Sequence, residues 1–279
     1  MIFLIIATII WALSFSIIGN YLSSTIDPWS LSLLRVIISF LIFLPFADIY
    51  ISKKRMIHIT GIGAIQIGLM YSFYLNAFSF VSVEKILLFT IFTPIYISII
   101  SDFFQKKIHK FFLFLSLVSV IGSLIIRTTD VQLLDIKGFV LIQGANFCFA
   151  LGQVLYKQYI KNNSSQDYNL NEFAYFYFGA LIIASIGSVM MIDSITYPKS
   201  LTQGLLVLWL GAIASGLGYY LWNRGSVLVS NGTLAVMNNL VIPFGLFIEI
   251  LFFSKSIIGA NYSIGALIII FSIYFSLRR

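Results

Sequence analysis

The sequence has little of what soluble enzymes and secreted domains depend on. It contains one cysteine, Cys148, which excludes an intramolecular disulfide and any multi-cysteine metal site. Its two histidines, His58 and His109, lie among or near lysines, and their placement does not suggest a metal cluster. Charged residues make up 10% of the chain, where soluble domains carry about 25%. No Ser/His/Asp, Cys/His or paired-carboxylate constellation is assembled by spacing, so no catalytic group and no cofactor site is assigned. Gly61-x-Gly63 and Gly216-x-Gly218 lie within apolar runs without a strand–turn–helix context, and read as helix packing rather than nucleotide loops. What is present in excess is apolar surface: 59% of residues are hydrophobic, and the mean hydropathy is +0.99. That composition excludes an ordinary cytosolic enzyme, a secreted disulfide scaffold and a disordered chain, and points to a polytopic membrane protein. The net charge of +7 then reads as basic residues in cytoplasmic loops, not as a nucleic-acid footprint.

A bilayer core about 30 Å thick needs roughly 20 mostly apolar residues per spanning helix. Ten such runs are expected, at approximately 2–22, 31–51, 57–79, 83–103, 111–127, 137–157, 172–192, 203–223, 231–253 and 257–277. Asp27-Pro28 separates the first two, Lys53-Lys54-Arg55 the second and third, and Lys106, Lys107 and Lys110 the fourth and fifth. The longest polar stretch is Lys157 to Asn171. The first run lacks a positive n-region and a small-residue cleavage site, so it reads as a transmembrane helix rather than a signal peptide. With a cytoplasmic N-terminus, eleven Lys and Arg fall on the inner side (Lys53, Lys54, Arg55, Lys106, Lys107, Lys110, Lys157, Lys161, Arg224, Arg278, Arg279). Five fall outside (Lys85, Arg127, Lys137, Lys199, Lys255). This bias predicts both termini in the cytoplasm.

Ten spans invite a search for duplication. At an offset of 148, Gly68, Leu69, Tyr71, Val81 and Ser82 meet Gly216, Leu217, Tyr219, Val229 and Ser230. One residue of slip then places Pro94 on Pro243 and Phe103-Phe104 on Phe252-Phe253. More weakly, Trp11-Ala12-Leu13 meets Phe149-Ala150-Leu151, and Tyr21 meets Tyr159. An odd number of helices per half forces the second half to cross the membrane upside down. The expected fold is therefore an all-α membrane protein of ten transmembrane helices in two inverted five-helix repeats, 1–130 and 131–279, with a substrate site near the midplane between them.

Two five-helix halves, each with a proline inside its fourth helix, resemble the EamA-type branch of the drug/metabolite transporter superfamily. Within it the chain is most similar to the family of single-component bacterial biotin transporters. The resemblance is carried by W-A-L-S-F-S at 11–16, L-L-F-T-I-F-T-P-I-Y-I at 87–97, F-A-Y-F-Y-F-G-A at 173–180, A-S-G-L-G-Y at 214–219 and G-T-L-A-V-M-N-N at 232–239. It covers all but the fifth and tenth spans convincingly. One departure stands out: many EamA-type halves close with a glutamate after the fourth helix, whereas Lys107 and Lys255 lie near those places here. The resemblance implies a secondary transporter of the bacterial inner membrane, taking up biotin by alternating access. Export of amino acids or other metabolites is the alternative, and a membrane-embedded enzyme the remote one. The bilayer and a small organic solute are the expected partners; monomer and homodimer are both open.

Polar residues inside spans are the site candidates, because a charge at the bilayer centre costs roughly 2.5–3.5 kcal/mol on the insertion scale. Arg35, about a turn inside the second span, either snorkels to the outer interface or meets a substrate carboxylate with its planar fork. Glu84 and Lys85 open the fourth span. Adjacent positions point about 100° apart on a helix, so at least one of them needs another partner. Both read as outer-surface residues or as a gate or coupling pair. Glu249, six residues past Pro243, is either a neutral hydrogen-bonded acid or a coupling group. Asn146 and Gln153 share a helix face, with Gln143 near it. With Asn238 and Asn239 they either bond neighbouring helices or recognise substrate. Trp11, Tyr71, Tyr74, Tyr219, Tyr220 and Trp222 are lipid-belt anchors or cavity walls, with the repeat mates Tyr71 and Tyr219 favouring the latter. Pro94 and Pro243 are kinks or hinges. A cation, aromatic rings and amides match the carboxylate tail, apolar body and ureido edge of biotin, and of other metabolites as well.

Overall fold

A computed structural model of the chain describes residues 1–126, 135–162, 170–253 and 260–278. Among these residues the fold is entirely helical. Ten apolar helices follow one another: α1 (Ile2–Leu22), α2 (Pro28–Phe46), α3 (Lys53–Ala77), α4 (Val83–Gln105), α5 (Lys110–Ile125), α6 (Ile136–Asn162), α7 (Leu170–Met191), α8 (Leu201–Ser226), α9 (Asn231–Phe253) and α10 (Ala260–Leu277). Nine are long and apolar enough to cross a membrane, and α5 is shorter at 16 residues. Arg127, Lys255, Arg279 and positions 163–169 of the polar stretch lie outside the described residues.

Helix ends differ from the hydropathy reading where capping chemistry intervenes. Asp27 accepts from the backbone N–H groups of Trp29 and Ser30, at 2.8 and 3.2 Å, and Pro28 supplies the first helical residue. Helix α2 therefore starts at 28 rather than 31. It stops at Phe46 rather than 51, after a tight turn that contains Pro45. Ser52 caps α3, so Lys53-Lys54-Arg55 form its first turn instead of a connection. Ser200 and Ser230 cap α8 and α9 in the same way. Helix α6 continues past 157 and carries Lys157 and Lys161 within it.

Four helices are irregular at matched places. Helices α3 and α8 widen into π turns at Ala64–Leu69 and Leu210–Leu217. Helices α4 and α9 tighten into 3-10 turns at Thr90–Phe92 and Asn238–Leu240, with Pro94 and Pro243 just beyond. At the offset of 148 the two π turns overlap and the two 3-10 turns coincide. Packing follows the same pattern. Helix α1 packs on α8 and α9, as α6 packs on α3 and α4; α2 packs on α8, as α7 packs on α3. The pairs α2–α7, α4–α9 and α5–α10 map onto themselves.

Lipid tails are as apolar as leucine, so helix association depends on close backbone approach. Helices α3 and α7 cross on two glycines. A Cβ at Gly63 would sit 1.8 Å from the Phe176 carbonyl oxygen, and one at Gly179 would sit 1.8 Å from that of Thr60. The packing expected of Gly61-x-Gly63 therefore belongs to Gly63 alone, since a Cβ at Gly61 would meet nothing within 4 Å.

Candidate functional site

Helices α1, α3 and α4 of the first half and α6, α8 and α9 of the second converge on a central cavity of about 90 Å³. The walls come in pairs of repeat-related residues: Trp11 with Phe149, Tyr71 with Tyr219, Tyr74 with Trp222, and Thr90 with Asn238. Helix α2 adds Arg35, and no residue of α7 lines the cavity. The walls are thus matched in shape and unmatched in charge.

The aromatic wall is built around Trp11. Its ring centroid lies 4.9 Å from those of Tyr219 and Trp222 and 5.3 Å from that of Phe149. Its Nε1 donates to the Ala214 carbonyl at 2.9 Å. That carbonyl sits in the π turn of α8, whose altered bonding ladder offers backbone acceptors sideways. A Cβ at Gly218 would come within 2.8 Å of the indole nitrogen, so glycine there makes room for the ring. Tyr71 and Tyr219 meet edge to face at 6.1 Å. Tyr220, grouped with them by sequence, turns away and packs against Phe173 at 5.1 Å.

Arg35 supplies the charge. It lies about two turns into α2, deeper than expected, and is 2% exposed, so it does not snorkel to the interface. Its Nε donates to Ser215 Oγ at 3.0 Å and its Nη2 to Tyr71 Oη at 2.7 Å. Those two hydroxyls are 2.7 Å apart, and the guanidinium carbon stands 4.4 Å from the Tyr71 ring centroid. Nη1 is buried without a partner. Arg55 pairs with Glu172 and Lys85 with Asp135, and neither pair involves Arg35. A buried cation held only by neutral oxygens carries a desolvation penalty that an incoming anion would offset.

The amides divide into two groups. Asn146 and Asn238 line the cavity, but their donors are in use. Asn146 Nδ2 donates to the Phe89 carbonyl at 3.0 Å, alongside Gln143 Nε2, and Asn238 Nδ2 donates to the Leu234 carbonyl at 2.7 Å. Gln153 and Asn239 stand behind the wall. Gln153 Oε1 accepts from Trp222 Nε1 at 2.9 Å, and Asn239 Nδ2 donates to the Ile91 carbonyl at 3.2 Å and to Ser119 Oγ at 2.8 Å. Asn146 and Asn239 thus occupy carbonyls in and beside the interrupted turn of α4.

None of the five gating candidates lines the cavity. Pro94 and Pro243 follow the 3-10 turns. Lys85 pairs with Asp135 at 2.9 Å, tying the start of α4 to that of α6. Glu84 is buried beside it. Glu249 is fully buried and accepts from Asn20 Nδ2 at 3.1 Å, joining α1 to α9. Several lining residues were not singled out by sequence, Thr8, Phe15, Thr90, Thr93 and Phe149 among them. Phe149 was legible only as the aligned partner of Trp11. A larger cleft of about 560 Å³ opens near the C-terminal ends of α4 and α6, lined by Asp102, His109, Lys157 and Lys161 among others.

A family model described as the EamA-like transporter family matches residues 1–128. Proteins named biotin transporter from Salmonella typhimurium and from Escherichia coli are each 35% identical over 273 residues, spanning 97% of this chain and 91% of the relative. A solved crystal structure shares the fold, with a TM-score of 0.76 at 13% identity over 99% of this chain and 97% of that one.

Proposed function

Because the chain belongs to the EamA-like transporter family and is related to biotin transporters across nearly its whole length, we propose that it takes up biotin, or a close carboxylate analogue, by alternating access through the central cavity. The observation that carries this reading is Arg35, a buried cation at the cavity wall with one guanidinium nitrogen unpartnered. A carboxylate placed there gains a charge-assisted hydrogen bond. The adjoining rings of Trp11, Tyr71 and Tyr219 suit a fused, largely apolar bicycle. Asn146, Asn238, Thr90 and Thr93 lie on the same wall and offer oxygens to a ureido edge. Gln153, Trp222 and Asn239 hold that wall in place.

The transport cycle follows from the two halves, 1–130 and 131–279, acting as inverted repeats about the cavity. The exchange of helix pairings between halves and the coincident helix breaks support that arrangement. Pro94 and Pro243 serve as paired hinges, with Glu84, Lys85 and Glu249 bracing the helices that move. The chain resides in a bacterial inner membrane with both termini in the cytoplasm. The test is uptake of labelled biotin by a biotin-auxotrophic strain that expresses this protein as its sole candidate carrier. Saturable uptake that unlabelled biotin competes away is the expected result. Absent uptake together with extrusion of preloaded amino acids would replace this reading with export.

A further inference from the structure

We infer that the cavity is bounded by two gates at repeat-related positions, an aromatic one formed by Phe15 and Tyr74 and a hydrogen-bonded one formed by Gln153 and Trp222. The inference rests on the alternating-access reading and adds which residues open each face.

Position along the helices carries the assignment. Phe15 is the lining residue of α1 farthest from the chain's N-terminal face, and Tyr74 has the same place on α3. Their rings meet edge to face at 5.1 Å. On the other side, Trp222 is the last lining residue of α8, and Gln153 lies one turn beyond Phe149 on α6. Gln153 accepts from Trp222 Nε1 at 2.9 Å and from Asn238 Nδ2 at 3.3 Å. The offset that places Trp11 on Phe149 places Phe15 on Gln153. The offset that places Tyr71 on Tyr219 places Tyr74 on Trp222. The two contacts are therefore the same contact in the two halves, one above the cavity and one below it.

Each contact also bridges the groups of helices that alternating access must separate. Helix α1 packs with α8 and α9, while α6 packs with α3 and α4. Phe15–Tyr74 joins α1 to α3, and Gln153–Trp222 joins α6 to α8, so both cross between these groups. Their chemistry differs. Separating two rings exposes apolar surface to incoming water, which opposes opening. Separating an amide from an indole releases polar groups that water satisfies on arrival. The hydrogen-bonded gate is thus the one whose opening is set by a few directional bonds, and Trp222 and Asn238, which share those bonds, also face the substrate.

The experiment places a reporter cysteine between the two layers, Ala145→Cys in a Cys148→Ser background. A membrane-impermeant thiol reagent is applied to intact cells and to inside-out vesicles. Phe15→Ala should speed labelling only from the face opposite the termini. Gln153→Leu should speed it only from the face that carries the N-terminus. Trp222→Phe keeps an aromatic ring and removes the indole donor, so it should produce the second effect by at least about fivefold, the population change for one net hydrogen bond. Equal acceleration from both faces, or from neither in well-inserted protein, overturns the assignment. The readout is independent of biotin: face-selective labelling in a protein that fails to carry biotin retires the substrate reading and leaves the gates standing.

Discussion

At the scale of single residues, the site turns on how Arg35 is held. Ser215 and Tyr71 take up its Nε and Nη2 and leave Nη1 buried without a partner. A lysine would keep the charge but lacks the fork that engages two hydroxyls and a third group together. Arg35→Lys should therefore weaken biotin binding about tenfold, by calorimetry on purified protein, the scale of one charge-assisted hydrogen bond. Unchanged affinity would reduce Arg35 to a bare charge. Sequence showed Arg35 because charges are rare inside spans, and it showed Trp11, Tyr71 and Tyr219 because polar-tipped rings at mid-span are uncommon. It was silent on Phe15 because phenylalanine serves lipid-facing and cavity-facing positions equally well. It could not separate Asn146, which lines the cavity, from Gln153 and Asn239, which stand behind it, because an amide satisfies a freed carbonyl as readily as a ligand.

At the scale of helices, the interruptions matter more than the spans. Proline lacks the backbone donor that would continue the ladder, and α4 and α9 each tighten before theirs. Side chains from other helices occupy carbonyls at the first break: Asn146 and Gln143 hold that of Phe89, and Asn239 holds that of Ile91. Pro94→Ala or Pro243→Ala restores a donor and should slow exchange between facing states while leaving biotin affinity within a few-fold. Comparing the rate of labelled-biotin counterflow in proteoliposomes with equilibrium binding checks this. An equal loss of both would make the prolines parts of the binding wall. The paired prolines were visible in the sequence. The π turns of α3 and α8 were not, because a widened turn leaves hydropathy unchanged. Helix ends shifted wherever a cap such as Asp27 or Ser52 outweighed the apolar count.

At the scale of the whole molecule, ten helices and a superfamily fold were legible because each span must hide its own backbone from lipid, which imposes length and apolarity together. The cavity was legible only in outline, since which faces meet depends on how the halves pack. The basic-residue bias predicts the orientation. A cysteine replacing exposed Ser52, before α3, should react with an impermeant reagent only in inside-out vesicles, and one replacing Ser200, before α8, only in intact cells. The reverse pattern would invert the topology. The central claim is that one buried cation in an aromatic cavity recognises a carboxylate solute. It is tested most directly by measuring the binding of biotin and of neutral biotin amide to wild-type and Arg35→Ala protein of matched folding. The account predicts that the substitution weakens biotin about ten- to a hundredfold and the amide by far less. Equal weakening of both ligands would make Arg35 a structural residue and contradict the account.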